Sequence, residues 1–173
     1  MFTKQLKNKT CSGFSLLELL IYIAILSGLM VVVSNAFISI SKGRGQAEAR
    51  NEVNAAVRFA TEKLRQDLKD ASSVTTPALG TPSATLVMTI AGVTTTYDVS
   101  AGVLRKTVGA GSPIAVTGTN IFVNAPTFTL LQNTNSVLSV TTTAVQMSLT
   151  FKYNVTNTDW TYSTTLQTTA SLR

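Results

Sequence analysis

Residues 13–40 read GFSLLELLIYIAILSGLMVVVSNAFISI, and this stretch decides the architecture of the chain. A helix that spans a membrane needs about 20 mostly apolar residues, and residues 14–33 supply that length. Lys4, Lys7 and Lys9 precede the stretch with no acidic residue among them. By the positive-inside rule, this basic segment stays in the cytoplasm and the remainder of the chain crosses the membrane.

An ordinary secretory signal has the same order of basic and then apolar residues. Its apolar region is shorter and is followed by a cleavage site of small residues. Residues 33–36, Val-Ser-Asn-Ala, are similar to such a site, so signal cleavage is an alternative. The length of the apolar run, and its continuation into a second helical pattern, favour a membrane anchor over residues 14–40.

Residues 41–71 carry the pattern of an amphipathic helix. Apolar residues recur there at spacings of three and four, which is one face of a helix: Ala49, Val53, Ala56, Ala60, Leu64, Leu68 and Ala71. Charged pairs four residues apart predict a water-exposed opposite face: Arg44 with Glu48, Arg58 with Glu62, and Lys63 with Asp67. Gly43 and Gly45 predict a flexible joint between the two helical halves, with a solvated turn at the membrane exit as the alternative.

The remainder predicts a loop and then a β-rich domain. Pro77, Gly80 and Pro82 indicate a loop over residues 72–83, and residues 84–173 are rich in Thr, Ser, Val and Ala, which suits an exposed β-sheet. The predicted strands are 84–91, 93–100, 102–108, 113–118, 121–123, 128–131, 137–140, 144–153 and 160–172. The fold class is therefore α+β, with a long N-terminal helix and a small antiparallel sheet packed on its amphipathic half.

The junction from Gly13 to Glu18, led by lysines and followed by an apolar helix, resembles the class III prepilin signal of the type IV pilin superfamily. The resemblance implies that a prepilin peptidase removes residues 1–13 by cutting between Gly13 and Phe14, and that the new N-terminus at Phe14 is methylated. Cys11 would leave with the leader. The resemblance also implies that Glu18 pairs with the N-terminal amine of Phe14 in a neighbouring subunit.

The chemistry of Glu18 points the same way. An ionised side chain in a lipid-facing helix costs roughly 2.5–3.5 kcal/mol, so this carboxylate needs a partner. Alternatively, Glu18 reaches water at the cytoplasmic headgroups and has no part in assembly. Ala24 and Gly28 form a small-xxx-small pair that would let helices approach closely, although membrane helices also tolerate glycine without such a role.

The later part of the helix is similar to J-type or W-type minor subunits of the superfamily, through Arg58, Leu64, Asp67, Leu68 and Ala71. Major pilins usually have a proline in the membrane helix and often a C-terminal disulfide, and this sequence has neither. The resemblance thus implies a minor pilin or pseudopilin. It would assemble with other subunits, on an inner-membrane platform, into a type IV pilus or a type II secretion-like filament.

Three other function classes give different expectations. An enzyme is not expected, because the chain has no histidine, its only cysteine lies in the leader, and no phosphate loop occurs. Asp98 and Asp159 remain as acids of the β region for a carboxylate pair or a calcium site, but solvated turns are the default for both. No catalytic residue, cofactor or metal is therefore predicted.

A DNA-uptake pseudopilin would use scattered cations and aromatic rings: Arg105, Lys106, Lys152 and Arg173, with Trp160 or Tyr162 for stacking. Half of the net charge of +6 lies in the leader, so nucleic acid is not expected as a partner. A membrane-anchored surface binding module would use Trp160, Tyr162 and Phe128, but aromatic residues at strand spacing are usually core.

Overall fold

The computed structural model describes residues 13–137, 139–156 and 158–172, without the side chain of Thr158. The leader lysines, Cys11 and Arg173 lie outside the described residues, so the predictions made on them are not tested. The chain divides into two compact units, Met1–Ser41 and Lys42–Arg173.

Helix α1 runs from Leu16 to Asp70 and contributes to both units. No proline occurs before Pro77, so nothing in the sequence removes a hydrogen bond from the helix interior. Gly43 and Gly45 both lie inside the helix, and the expected joint is not a break in its secondary structure. By length and composition, the apolar part of α1 could cross a membrane.

The second unit confirms the predicted apolar face of α1. Each of the seven predicted positions is buried except Ala56, which is half-buried, and Ala71, the last of them, begins the first strand. The burial follows the helical period of 3.6 residues because side chains three and four positions apart lie on one side of the helix.

Two antiparallel sheets pack with this helix face, and together they confirm the α+β class. The first has the order β1-β3-β4-β5-β6, with β1 at Ala71–Thr76, β3 at Leu86–Ile90, β4 at Val93–Ser100, β5 at Val103–Val108 and β6 at Ile114–Ala115. The second has the order β2-β7-β8-β9, with β2 at Pro82–Ser83, β7 at Ile121–Asn135, β8 at Val140–Tyr153 and β9 at Ser163–Ser171. A short 3-10 turn, η1, covers Thr158–Trp160.

The predicted meander of three strands is present as β3, β4 and β5. Its two hairpins turn on Ala91-Gly92 and Ala101-Gly102, and both residues of each pair have positive φ. That backbone suits the right-handed twist of paired strands. At Gly102 a Cβ atom would also overlap the ring of Phe122, so this turn lies directly against β7.

Three predictions for the β region differ from the structure. The segment 72–83 is not a plain loop, because strand β1 follows the helix at once and pairs with β3. The predicted strands 121–123 and 128–131 are one strand, β7, whose register shifts between Asn124 and Thr127 and so accommodates Pro126. The predicted strand at 137–140 is absent, because the β7–β8 hairpin turns at Ser136, Val137 and Ser139, and strand β8 begins only at Val140. In this turn the Val137 N–H donates to Asn135 Oδ1 at 2.9 Å.

The core of the second unit lies between the helix and both sheets. Its largest fully buried side chains are Tyr97, Phe128 and Phe151, joined by leucines and methionines from all three layers. The apolar alternation predicted in β8 is confirmed, since Val145, Met147, Leu149, Phe151 and Tyr153 are all buried. With no cysteine beyond residue 11, no disulfide within the chain stabilises this unit.

Candidate functional site

The described residues of the first unit present a mostly apolar surface. Every described side chain from residue 13 to residue 41 is exposed, including Phe14 at 67% and Phe37 at 73%. An apolar patch of this extent in a soluble protein marks an interaction surface for a membrane or for other protein chains. The segment is therefore the first candidate site.

Glu18 lies in the first turn of α1 and is the only charged residue of the helix before Lys42. Its side chain is exposed, and no hydrogen bond or ion pair to it occurs within the described part of the chain. A negative charge near a helix N-terminus interacts favourably with the helix dipole, but this interaction does not replace a counterion in lipid.

The residues around Glu18 are ordered by local contacts. The rings of Phe14 and Tyr22 lie 5.7 Å apart between centroids and are tilted by 48°. The Leu19 N–H donates to the Ser15 carbonyl at 3.1 Å, which extends the hydrogen bonding of the helix back toward the Gly13-Phe14 junction. Gly13 itself is exposed and lies just before the helix, so the predicted cleavage point is in an accessible segment.

Ala24 and Gly28 lie four residues apart on the exposed helix, as the small-xxx-small pattern requires. A Cβ atom at Gly28 would meet nothing within 4 Å. Among the residues that the structure describes, packing therefore does not require a glycine at this position.

Two of the four cations predicted as nucleic-acid contacts, Arg105 and Lys106, are engaged inside the second unit, whereas Lys152 is exposed. Arg105 pairs with Asp98 across strands β4 and β5, and Lys106 pairs with Asp67. Asp159 pairs with Lys42 at 3.1 Å, so both acids considered for catalysis or calcium have cation partners. Among the residues that the structure describes, no three His, Cys, Asp or Glu side chains gather into a possible metal site.

The predicted recognition aromatics do not form one surface. Phe128 is completely buried in the core, as is usual for an aromatic residue at strand spacing. Tyr162 is half-buried, and the Arg50 guanidinium lies 5.6 Å from the centre of its ring. Trp160 is also half-buried and packs against the helix at Gly45.

The contact between Gly45 and Trp160 explains a glycine that the sequence pattern assigned to flexibility. Gly45 is buried, and a Cβ atom there would overlap the indole ring. Around it, Gln46 donates a side-chain hydrogen bond to the Asp159 carbonyl at 3.2 Å, next to the Lys42–Asp159 ion pair. Because Gly45 has no side chain, the Trp160 ring packs directly on the helix there, and this contact holds the β8–β9 connection against the helix.

A pair of glycine substitutions tests this contact between Gly45 and Trp160. Glycine to alanine ordinarily stabilises a helix interior by about 1 kcal/mol, and Gly43→Ala should do so because a Cβ there meets nothing within 4 Å. Gly45→Ala should instead lower the free energy of unfolding by about 1–3 kcal/mol, because the methyl group displaces Trp160. Chemical denaturation of the full chain in detergent, followed by circular dichroism, measures both. An equal gain in the free energy of unfolding for both variants would contradict the proposed Gly45–Trp160 contact.

Asp67 forms the most buried charged cluster among the described residues, and the sequence pattern missed it. The side chain is only 6% exposed, its Oδ2 accepts a hydrogen bond from the Tyr97 hydroxyl at 2.6 Å, and Lys106 binds the same oxygen. Lys63 lies 3.6 Å away on the other carboxylate oxygen. The prediction that Lys63 and Asp67 form a water-exposed pair is thus wrong for Asp67, which faces the sheet.

The cluster holds Asp67 ionised. Burial by itself raises the pKa of Asp67, but the hydrogen bonds from Lys106 and Tyr97 and the positive charges of Lys106 and Lys63 outweigh it, leaving the pKa below the usual 3.8. Burial and the adjacent Asp67 carboxylate raise the pKa of Tyr97, so its hydroxyl stays protonated and remains a donor. The arrangement is structural: it ties the end of α1 to strands β4 and β5.

Comparison of the chain with models of protein families, with curated proteins and with solved structures finds no match. What the structure establishes is therefore an α+β chain whose N-terminal helix is long and apolar enough to span a membrane and is followed by two antiparallel sheets.

Proposed function

We propose that this chain is a membrane-anchored filament subunit of the type IV pilin superfamily, a minor pilin or pseudopilin. The observation that carries the proposal is the exposed apolar helix of residues 16–41 with Glu18 as its single charge. The pilin-like layout, a long helix whose second half packs on antiparallel sheets, supports it.

The apolar helix requires one environment before assembly and another after it. A bilayer covers the exposed side chains while the subunit is stored, and the helices of neighbouring subunits cover them in a filament. Both environments exclude water, so the same residues serve both. The Ala24 and Gly28 positions, open on the helix surface, suit close approach of a second helix.

Glu18 links the two states. In the bilayer its charge is costly, and in the filament the α-amine of Phe14 from the next subunit supplies the opposite charge. The ion pair forms only when subunits dock, so it favours extraction from the membrane in step with assembly. Prepilin peptidase must act first, because the α-amine of Phe14 exists only after cleavage behind Gly13.

The subunit would accordingly reside in the inner membrane with its N-terminus in the cytoplasm and its β domain outside, and then in the filament. The assembly platform and other pilin subunits are its proposed partners. A DNA-uptake filament is a less favoured version, because Arg105 and Lys106 are bound to Asp98 and Asp67.

Processing of the N-terminus tests the proposal. In a host with prepilin peptidase, the membrane-extracted protein should begin at N-methylated Phe14, and a host without the peptidase should retain residues 1–13. Gly13→Val should block processing, whereas Gly28→Ala, in the middle of the apolar helix, should be processed normally. Intact-mass spectrometry and N-terminal sequencing distinguish these forms. An intact Met1 despite the peptidase, or a new N-terminus after Ala36, would contradict the proposal.

A further inference from the structure

Strand β9 has a long outer edge that no other strand occupies within the described part of the chain. It is the last strand of the second sheet and pairs with β8 alone, in continuous register over its whole length. The strand reads STTLQTTAS and contains no charged residue and no proline. Such an edge is a ready template for pairing with another strand.

The other sheet edges carry the usual obstacles to pairing. Strand β1 has two register shifts along its contact with β3. Strands β2 and β6 are two residues long each, and β2 contains Pro82. Short strands, bulges, prolines and charges are the devices by which proteins block edges, and β9 has none of them. Among the four strands that end the two sheets, this difference singles out β9.

The hydrogen bonds that flank β9 show which of its backbone groups point outward. The Tyr153 N–H donates to the Tyr162 carbonyl, and the Leu172 N–H donates to the Thr143 carbonyl, each at 2.9 Å. Because residues of an antiparallel strand alternate between pointing toward and away from one neighbour, the even-numbered residues of β9 bond to β8. The odd-numbered residues direct their N–H and C=O groups away from the sheet: Ser163, Thr165, Gln167, Thr169 and Ser171.

These outward residues form a palindrome. Read in either direction, the odd-numbered positions are Ser-Thr-Gln-Thr-Ser, and their side chains are all exposed. If two copies of β9 run antiparallel about Gln167, Ser163 faces Ser171 and Thr165 faces Thr169, while Gln167 faces its own counterpart. Every such pair is a hydrogen-bonded one, matched in residue type and free of like-charge repulsion.

We propose that two copies of this chain associate through antiparallel pairing of their β9 strands, centred on Gln167. The contact is isologous, with the same strand used by both subunits, and it makes the two four-stranded sheets continuous. The partner is a second copy of this chain because the palindromic order of the outward residues gives matched pairs when β9 pairs with another β9. This inference depends on the edge of β9 and not on the proposed filament function.

Cysteine pairing tests the register directly. In the full chain with Cys11→Ser, in detergent micelles under mild oxidation, Gln167→Cys should give a disulfide-linked dimer. Paired residues at a hydrogen-bonded position lie about 5.5 Å apart between Cα atoms, within disulfide range. Thr165→Cys alone should not crosslink, because its counterpart lies about 13 Å away along the strand. Mixing Thr165→Cys with Thr169→Cys chains should restore the crosslink.

A charge substitution provides a second measurement that needs no oxidation. Gln167→Lys places two ammonium groups opposite each other and should lower the dimer association constant, measured by sedimentation, by up to about fivefold. Gln146→Lys, exposed on the inner strand β8, should leave the dimer unchanged. A monomeric Gln167→Cys chain, or equal self-crosslinking by Thr165→Cys, would overturn the proposal. Protection of the odd-numbered amides by another protein, without the Gln167 crosslink, would assign the edge to a different partner and overturn it as well.

Discussion

Glu18→Gln should leave membrane insertion intact and reduce incorporation into filaments by on the order of 100-fold or more. The substitution keeps the size of the side chain and removes the charge that the Phe14 α-amine of the next subunit would meet. Breaking a buried ion pair by removing one partner costs about 3–5 kcal/mol, and each 1.4 kcal/mol is about tenfold in an equilibrium constant. Quantitative immunoblots of sheared filaments and of membranes measure the ratio.

The matched control is Glu62→Gln. Glu62 is an exposed glutamate in the part of helix α1 that belongs to the second unit. The control variant removes an identical charge outside the apolar segment and should assemble normally. Glu18→Gln chains that enter filaments as well as the control would refute the assigned role. Loss of the protein from membranes would instead show that Glu18 acts in insertion, which also contradicts the proposal.

The second large effect is expected at the buried Asp67 cluster, between helix α1 and strands β4 and β5. Asp67→Ala should lower the free energy of unfolding at neutral pH by about 3–5 kcal/mol, because it leaves Lys106 and the Tyr97 hydroxyl without their buried partner. Asp98→Ala breaks the more exposed pair with Arg105 and should cost no more than about 1 kcal/mol. Denaturation of the full chain in detergent measures both. Equal losses would contradict the special position of Asp67.

Acid should remove the same stabilisation. The pKa of Asp67 is lowered by folding, so its contribution is fully present above the unfolded-state value near 3.8 and is lost as the pH falls through the lower folded-state value. Wild type should therefore lose stability below about pH 4 more steeply than Asp67→Ala does. The variant Asp67→Leu with Lys106→Met, which replaces the pair by apolar groups, should recover much of the neutral-pH loss.

Local patterns in the sequence predict most of the helix and part of the sheet. The apolar face of α1 was predictable because burial against a sheet imposes the helical period, and Val53, Leu64 and Leu68 are completely buried. The β3–β4–β5 meander was predictable for a similar reason, since its Ala-Gly turns separate short strands. The exposed segment with Glu18 was likewise visible as an apolar run with one charge.

Contacts between distant residues account for what was missed. Asp67 lies next to Leu68 on the helix, but its partners Tyr97 and Lys106 are 30 and 39 residues away, so spacing along the helix indicated only Lys63. Gly45 was interpreted as a joint because the ring that fills its place, Trp160, comes from the opposite end of the chain. The break expected between strands 121–123 and 128–131 is instead a register shift within the single strand β7.

The packing of Trp160 on Gly45 has a practical consequence. Trp160 is the only tryptophan of the chain, so the indole fluorescence of the whole protein arises at this one contact. Its emission should respond when the β8–β9 connection leaves the helix, even while both sheets remain folded. Intrinsic tryptophan fluorescence thus reports on the contact between the β8–β9 connection and helix α1, near the start of the second unit.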